Sequence, residues 1–153
     1  MDKEMRELQV TAIENGTVID HIPYENVFKV IRILNLEQTP NQMLLGINLD
    51  SKKYGKKGII KVSNTFFEDD EINKIALAAP TATLIVIRDF KVSEKRQVVI
   101  PDRIEKIVKC FNPNCITNHE HITTSFKVIE KKELKLQCKY CEKITAKNNM
   151  VFL

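Results

Sequence analysis

Four cysteines constrain this chain more than any other feature, because all of them lie in its last third. Their order is Cys110-x4-Cys115, then 22 residues, then Cys138-x2-Cys141. Two short cysteine loops on β-hairpins can each present two thiolates, and together they can enclose a cation as a tetrahedron. Zinc is the metal that this ligand set favours. Four protein ligands leave no open position for water, so the spacing predicts one structural Zn²⁺ per chain.

Other interpretations of the cysteines remain open at this point. A Cys-x2-Cys pair can be a redox dithiol, although that motif usually opens a helix after a strand. Four thiolates can also hold an iron–sulfur cluster, but this spacing does not fit the common ferredoxin patterns. His119 and His121 could replace a cysteine, although their polar surroundings favour an exposed loop. Disulfides are not expected, since the N-terminus lacks the apolar run of a signal peptide and a reducing cytoplasm is the default.

The charge distribution divides the chain near Pro101. The net charge is +4, and residues 101–153 carry all of it, with ten basic and six acidic side chains. We therefore expect two domains, residues 1–100 and 101–153. The second is too small to fold readily on its own core, and metal ligation would supply the missing free energy. The longest uncharged run, residues 75–87, is shorter than the about 20 apolar residues of a membrane span.

Hydrophobic periodicity predicts the order β-α-β-β-α-β in the first domain. Residues 7–13 alternate as a strand does and residues 18–19 resume it, while Asp20 and Pro23 are typical of a helix start with Asp20 as N-cap. The pattern then predicts a helix over residues 27–34, a hairpin of residues 43–49 and 58–62, a helix over 68–79 and a strand over 83–90. This order is that of a ferredoxin-like antiparallel sheet with two helices on one face, so the fold class is α+β.

The remaining segments read as strands. Residues 91–99 are polar and extended, and form either an edge strand or the link to the second domain. The second domain has β-type patterns at residues 104–108, 123–130, 134–138 and 150–153. We expect a small all-β, zinc-ribbon-like domain.

A few polar residues of the first domain suggest an anion site. Asp20 and His21 are placed at the predicted helix start, where free N–H groups attract anions, with Lys61 in the third strand and Lys95 beyond the fourth. Lysines beside such a helix could close on a triphosphate. The same residues also have plain structural interpretations as a cap and as solvent-facing side chains, and no Gly-rich phosphate loop is present. No catalytic constellation is found, so an enzyme is not expected.

Several segments of the chain match one known family. Together with the cysteine spacing they resemble the regulatory chain of aspartate carbamoyltransferase over nearly the whole length and in both domains. The principal matching segments are Gly16-Thr17-Val18-Ile19-Asp20-His21-Ile22-Pro23, Ile60-Lys61-Val62, Asn64-Thr65-Phe66 and Cys138-Lys139-Tyr140-Cys141-Glu142.

The resemblance implies a non-catalytic allosteric subunit of pyrimidine biosynthesis. Residues 1–100 would be the nucleotide-binding domain, in which CTP, helped by UTP, inhibits and ATP activates through one shared site. Residues 101–153 would be the zinc domain that docks on the catalytic chain. The regulatory chains of the family form homodimers that bridge catalytic trimers.

Matching positions also imply a nucleotide site. Main-chain groups around Ile13 would contact the base edge. Lys61 would contact the base carbonyl and the ribose, Asp20 the ribose, and Lys95 and His21 the phosphates. The full set is Val10, Ala12, Ile13, Asp20, His21, Lys61, Val92 and Lys95. The chain departs from the family pattern at Ile85, where Asn is expected, and at Phe90, where Tyr is expected. For contact with the catalytic chain we expect Asn112, Asn114, Tyr140 and Glu142.

An alternative function is a zinc-ribbon nucleic-acid-binding module. The lysines of residues 131–143 motivate it, but they alternate with apolar residues and a solvated strand face explains them as well. In the second domain Phe111, Phe126 and Tyr140 could stack on bases, but a stacking platform usually needs a cluster of aromatic side chains. We therefore expect neither a nucleic-acid nor a membrane partner.

Overall fold

A computed structural model describes residues 13–53 and 55–153 of the chain. It divides between Val98 and Val99 into two compact units. Most of the strand predicted over residues 7–13 lies outside the described residues. Within the described ranges, no helix reaches the length and apolar character needed to cross a membrane.

The first unit is a five-stranded antiparallel sheet with two helices. The first four strands follow the ferredoxin-like order and a fifth is added at the edge beside β4, which gives β2-β3-β1-β4-β5 and confirms the α+β class. The elements are β1 (Gly16–Pro23), α1 (Val27–Ile33), β2 (Met43–Ser51), β3 (Gly55–Ser63), α2 (Asp69–Ala78), β4 (Thr83–Arg88) and β5 (Lys91–Gln97).

One face of this sheet packs against α1. Ile19, Ile60 and Leu84 lie side by side on it and are buried. Gly58 lies on the same face, so close to α1 that a Cβ atom there would collide with the side chain of Val27. Because successive side chains of a strand point to opposite faces, the residues between these positions lie on the face away from the helix.

The predicted helix start at Asp20 is wrong. Strand β1 continues to Pro23, a 3-10 turn follows, and α1 begins at Val27 with Asn26 at its N-cap. The strand persists because it holds a β-bulge: Ile19 pairs with Ile60 and Ile22 with Gly58, so β1 has one extra residue. The bulge keeps Ile22 fully buried at the end of the strand.

The helix ends follow the sequence more closely. Helix α2 starts with a capping box, in which the Glu71 side chain accepts a hydrogen bond from the N–H of Glu68 at 3.1 Å, and it ends two residues before Pro80. After α1, Asn35 adopts a left-handed conformation with φ of 56°, which Asn tolerates well at a helix end.

The second unit is a four-stranded antiparallel sheet and a two-stranded ribbon. Its sheet has the order β10-β9-β8-β6, β11 pairs with β7, and a core of Ile104, Phe126 and Leu136 is buried. The predicted strand over residues 104–108 is two strands, because Lys106 adopts φ of 67° and breaks it. The strands are β6 (Arg103–Glu105), β7 (Val108–Lys109), β8 (Ser125–Glu130), β9 (Lys135–Cys138), β10 (Ile144–Ala146) and β11 (Val151–Phe152).

Candidate metal centre and effector face

The four cysteines converge at one point of the second unit. Cys110 follows β7, Cys138 ends β9, and all four sulfur atoms lie within 4.8 Å of one another. The Sγ atoms of Cys110 and Cys141 are 3.6 Å apart, and those of Cys115 and Cys138 are 3.7 Å apart. Around a tetrahedral zinc ion with Zn–S bonds of about 2.3 Å, neighbouring sulfurs lie about 3.8 Å apart. The cluster therefore has the size of a zinc cage.

Alternative ligands are not part of this cluster. The described residues that could hold a metal together are the four cysteines alone, which are free thiols, so His119 and His121 do not replace any of them. The ring of His119 instead contacts the carbonyl oxygen of Pro113 at 2.8 Å.

Main-chain hydrogen bonds shape both cysteine loops. In the second loop, the N–H of Tyr140 donates to Cys138 Sγ at 3.4 Å, and the N–H of Glu142 donates to the Cys138 carbonyl at 3.0 Å. In the first loop, the N–H of Cys115 donates to the Asn112 carbonyl at 3.0 Å. Each loop thus closes on itself and turns two sulfurs toward the same point.

Burial opposes ionisation of the cysteine thiols. Burial raises the pKa of the Cys110 and Cys138 thiols, since the charged form loses solvation. Burial acts in the same direction on Cys141, but hydrogen bonds from the Asn112 side chain and the Lys143 N–H outweigh it and lower the pKa of Cys141 to about 7. A divalent cation stabilises all four thiolates at once, so metal binding releases protons from the buried cysteines.

Two residues that sequence reasoning missed support the first cysteine loop. Thr117 Oγ1 lies 3.2 Å from Cys115 Sγ. The Asn118 side-chain amide donates to the main-chain carbonyls of Cys110 and Asn112. The sequence gives no signal for either residue, because both lie in a polar segment that is typical of an exposed loop.

The first unit brings the two predicted lysines into one row. Cross-strand pairing places Lys61 opposite Val18, Val18 opposite Ile85, and Ile85 opposite Lys95. The row crosses β3, β1, β4 and β5 on the sheet face away from α1. With three strand spacings between them, the backbones at Lys61 and Lys95 are about 14 Å apart.

A bulge in β5 adds Val92 to the same face. Lys95 pairs with Ile85 and Val92 with Ile87, so three residues of β5 span two residues of β4. In a regular strand Val92 and Lys95 would point to opposite faces. The bulge lets both lie on the face away from the helix, where Val92 is exposed.

Asp20 and His21 lie beside this row. Asp20 pairs with Thr83, two residues along from Val18 and Ile85 on the same face. Its Oδ1 atom accepts hydrogen bonds from Lys57 Nζ at 2.8 Å and from the His21 N–H at 2.7 Å. The His21 ring nitrogen Nδ1 lies 3.0 Å from Thr83 Oγ1, so both side chains are held in place.

The other expected site residues differ in how exposed their side chains are. Lys61 is only 5% exposed, and burial lowers its pKa, while the nearby Asp20 carboxylate acts in the opposite direction. Ile13 is buried, and Val10 and Ala12 lie outside the described residues. Phe90 is exposed, and its N–H donates to the Glu14 carbonyl at 2.9 Å.

Comparison with known proteins matches both units. The family model of the aspartate carbamoyltransferase regulatory chain, allosteric domain, covers residues 8–99, and that of its metal binding domain covers residues 102–151. The chain belongs to the family of aspartate carbamoyltransferase regulatory chains. The resemblance seen in the sequence is thereby confirmed.

Individual regulatory chains match over almost their full length. The aspartate carbamoyltransferase regulatory chain of Bacteroides fragilis is 52% identical over 143 residues, which are 94% of each chain. That of Thermococcus sibiricus is 55% identical over 147 residues, which are 96% of this chain and 97% of the relative. These names confirm a regulatory chain of aspartate carbamoyltransferase rather than its catalytic chain. The match across both units favours it over a nucleic-acid-binding module.

Proposed function

We propose that this regulatory chain binds CTP, UTP and ATP at one site on the sheet face away from α1, and that its zinc unit docks on the catalytic chain. The row of Lys61, Val18, Ile85 and Lys95 is the observation that carries the proposal. In this row the apolar side chains of Val18 and Ile85 lie between the two lysines. The distance between Lys61 and Lys95 is comparable to the length of a nucleoside triphosphate.

The two lysines suit different parts of such a ligand. Lys61 is buried and shares its surroundings with Asp20, which fits contacts to the base carbonyl and the ribose hydroxyls. Lys95 lies on the exposed edge strand, where an ammonium group can meet phosphates without a large desolvation cost. His21 completes the phosphate end. Ile85 offers no hydrogen bond, so phosphate binding relies on Lys95 and His21.

Regulation follows from differential affinity. An effector shifts an enzyme between two quaternary states only by binding one of them more tightly, and a coupling of about 1–3 kcal/mol suffices. In this proposal CTP, helped by UTP, favours the less active state and ATP the more active one. Homodimers of the chain bridge catalytic subunits, so that each effector acts on more than one of them.

The zinc cage positions the docking surface. Asn114, Tyr140 and Glu142 are exposed near the tips of the two cysteine loops, where a catalytic chain can contact them. Asn112 is half-buried, and its carbonyl oxygen accepts the N–H of Cys115 and the Asn118 amide, so its part in docking is to hold the loop. One structural zinc per chain fixes both loops at once, and the role of the ion is to stabilise the folded unit.

Calorimetric titration of the full chain with CTP and ATP tests the effector site. Lys95→Ala is expected to weaken both affinities about tenfold or more, because a hydrogen bond to a charged group contributes about 1.5–3 kcal/mol. Lys91→Ala is the matched control: it removes the same charge from the same exposed strand, but Lys91 pairs with Arg88 and lies on the other face. No binding by the native chain, or equal losses in both variants, would contradict the site.

A further inference from the structure

The side chain of Asn118 forms hydrogen bonds with the main chain of the first cysteine loop. Its Nδ2 atom donates to the carbonyl oxygen of Cys110 at 2.9 Å and to that of Asn112 at 2.7 Å. One amide group thus bridges the first metal ligand and the turn that follows it. The N–H of Asn118 also donates to the Cys115 carbonyl at 2.9 Å, so the same residue is tied to both cysteines of the loop.

Asn112 is itself the residue on which the first loop closes. Its Oδ1 accepts the N–H of Asn114 at 3.1 Å, and its carbonyl oxygen accepts the N–H of Cys115 at 3.0 Å as well as the Asn118 amide. Asn118 therefore fixes the turn between the two cysteines of this loop.

Little packing could replace these hydrogen bonds. Asn118 lines two cavities of the second unit, of about 560 and 590 Å³. The smaller is lined by Cys110 and Phe111 of the loop, and the larger by polar side chains beside the loop such as Lys109 and Glu120. Because one side of the loop borders open space, hydrogen bonds rather than close packing keep that side in shape.

We propose that Asn118 is the positioning residue of the metal site and sets how long the chain retains its zinc. It touches no sulfur and does not bind the ion. It holds the carbonyls of Cys110 and Asn112 so that the first loop presents its thiolates with the spacing of a tetrahedral cage. This role rests on the proposed zinc site. Residues that orient metal ligands typically contribute roughly 10–100-fold to metal affinity.

Zinc release from the full, zinc-loaded chain to a chromogenic chelator tests the proposal. Asn118→Asp keeps the shape of the side chain but cannot donate, and it places a carboxylate against two carbonyl oxygens. Asn118→Leu removes the donor without adding charge. We expect both variants to release zinc roughly 10–100-fold faster than the native chain. The matched control is Asn148→Asp, the same change at an exposed position of the second unit, which is expected to stay within about twofold.

Cobalt substitution and metal stoichiometry separate the possible outcomes. Co²⁺ in a four-thiolate site gives a characteristic charge-transfer spectrum, which is expected to be unchanged in variants saturated with metal. If neither Asn118 variant loads metal while Asn148→Asp loads fully, the proposal is supported. Release at the native rate from Asn118→Leu overturns it, because any effect of Asn118→Asp would then be due to charge alone. If the native chain itself fails to bind one zinc, the zinc site is refuted and the role of Asn118, which rests on it, is overturned as well.

Discussion

At Lys61 the proposed contact with the effector conflicts with the stability of the chain. It lies in the interior strand β3, and although it is a lysine its side chain is almost fully buried on the sheet face away from α1. Burial lowers the pKa of its ammonium group, and the Asp20 carboxylate offsets only part of this effect. Buried charge is costly without full compensation, so Lys61 is expected to lower the stability of the free chain.

Replacing Lys61 by Met is therefore expected to stabilise the free chain while weakening effector binding. The pKa of Lys61 in the folded state lies below its ordinary value of 10.5, so between the two values the unfolded chain binds more protons and stability rises with pH. Lys61→Met removes that rise. Thermal unfolding of the first unit between pH 7 and 10.5, with and without CTP, measures both effects.

The exposed Lys56 provides the control for this change. Its side chain is half exposed and pairs with Asp50 at 2.6 Å, and exposed pairs contribute about 0–1 kcal/mol. Lys56→Met is expected to leave the response to CTP unchanged. A lower melting temperature for Lys61→Met, together with an unchanged CTP response, would show that Lys61 is an ordinary structural residue.

At the scale of elements, the sequence predicts which strands form, but it does not predict the β-bulges that change which face of the sheet a side chain lies on. Alternation and helical periodicity locate β2, β3, β4 and both helices, because each buries one stripe of apolar side chains. The bulges in β1 and β5 have no local signal in the sequence, since they depend on how a strand pairs with its neighbours. The helix start at Asp20 was wrong for this reason.

The two candidate sites differ in how far the sequence alone predicts them, because only one of them depends on strand pairing. Cysteine spacing predicts the metal cluster because four thiolates have few other uses together, and the sulfurs converge. Lys61 and Lys95 are 34 positions apart in sequence, and only the register of four strands places them in one row. Sequence patterns alone favoured a helix N-terminus for this site. The resemblance to the family supplied the remaining residues.

Contact between α1 and the sheet depends on the missing side chain of Gly58. A Cβ atom at this position would overlap the Val27 side chain, so Gly58→Ala forces the helix outward. We expect it to reduce the free energy of unfolding by about 1–3 kcal/mol, the usual cost of overpacking. Chemical denaturation of the first unit measures the change.

A double-mutant cycle identifies the cause of that loss. Val27→Ala leaves a cavity in the native chain but makes room for the new methyl group in Gly58→Ala. The cost of Gly58→Ala is therefore expected to be smaller in the Val27→Ala background. Equal costs in both backgrounds would assign the effect to the strand backbone instead of the helix contact.

At the scale of the whole molecule, the proposed effector site and the four-cysteine cluster belong to different compact units. The first unit, through Val98, has its own sheet, helices and core, and the second, from Val99, has a small core and the four cysteines. A unit as small as the second, Val99–Leu153, rarely folds without a disulfide or a bound metal, whereas a unit of about 100 residues can fold on its own hydrophobic core. Apparent binding free energies of structural zinc are roughly 10–16 kcal/mol in small domains, enough to decide whether the second unit folds.

Zinc removal is therefore expected to unfold one unit and spare the other. After chelation of the full chain, amide hydrogen exchange should lose its protection in residues 99–153 and keep it in β1 to β5. CTP should still bind, because its proposed site lies wholly in the first unit, while co-sedimentation with the catalytic chain should disappear and return when zinc is restored. A zinc-free chain that stays bound to the catalytic chain would contradict the docking role, whereas loss of CTP binding would show that the effector site depends on the metal unit.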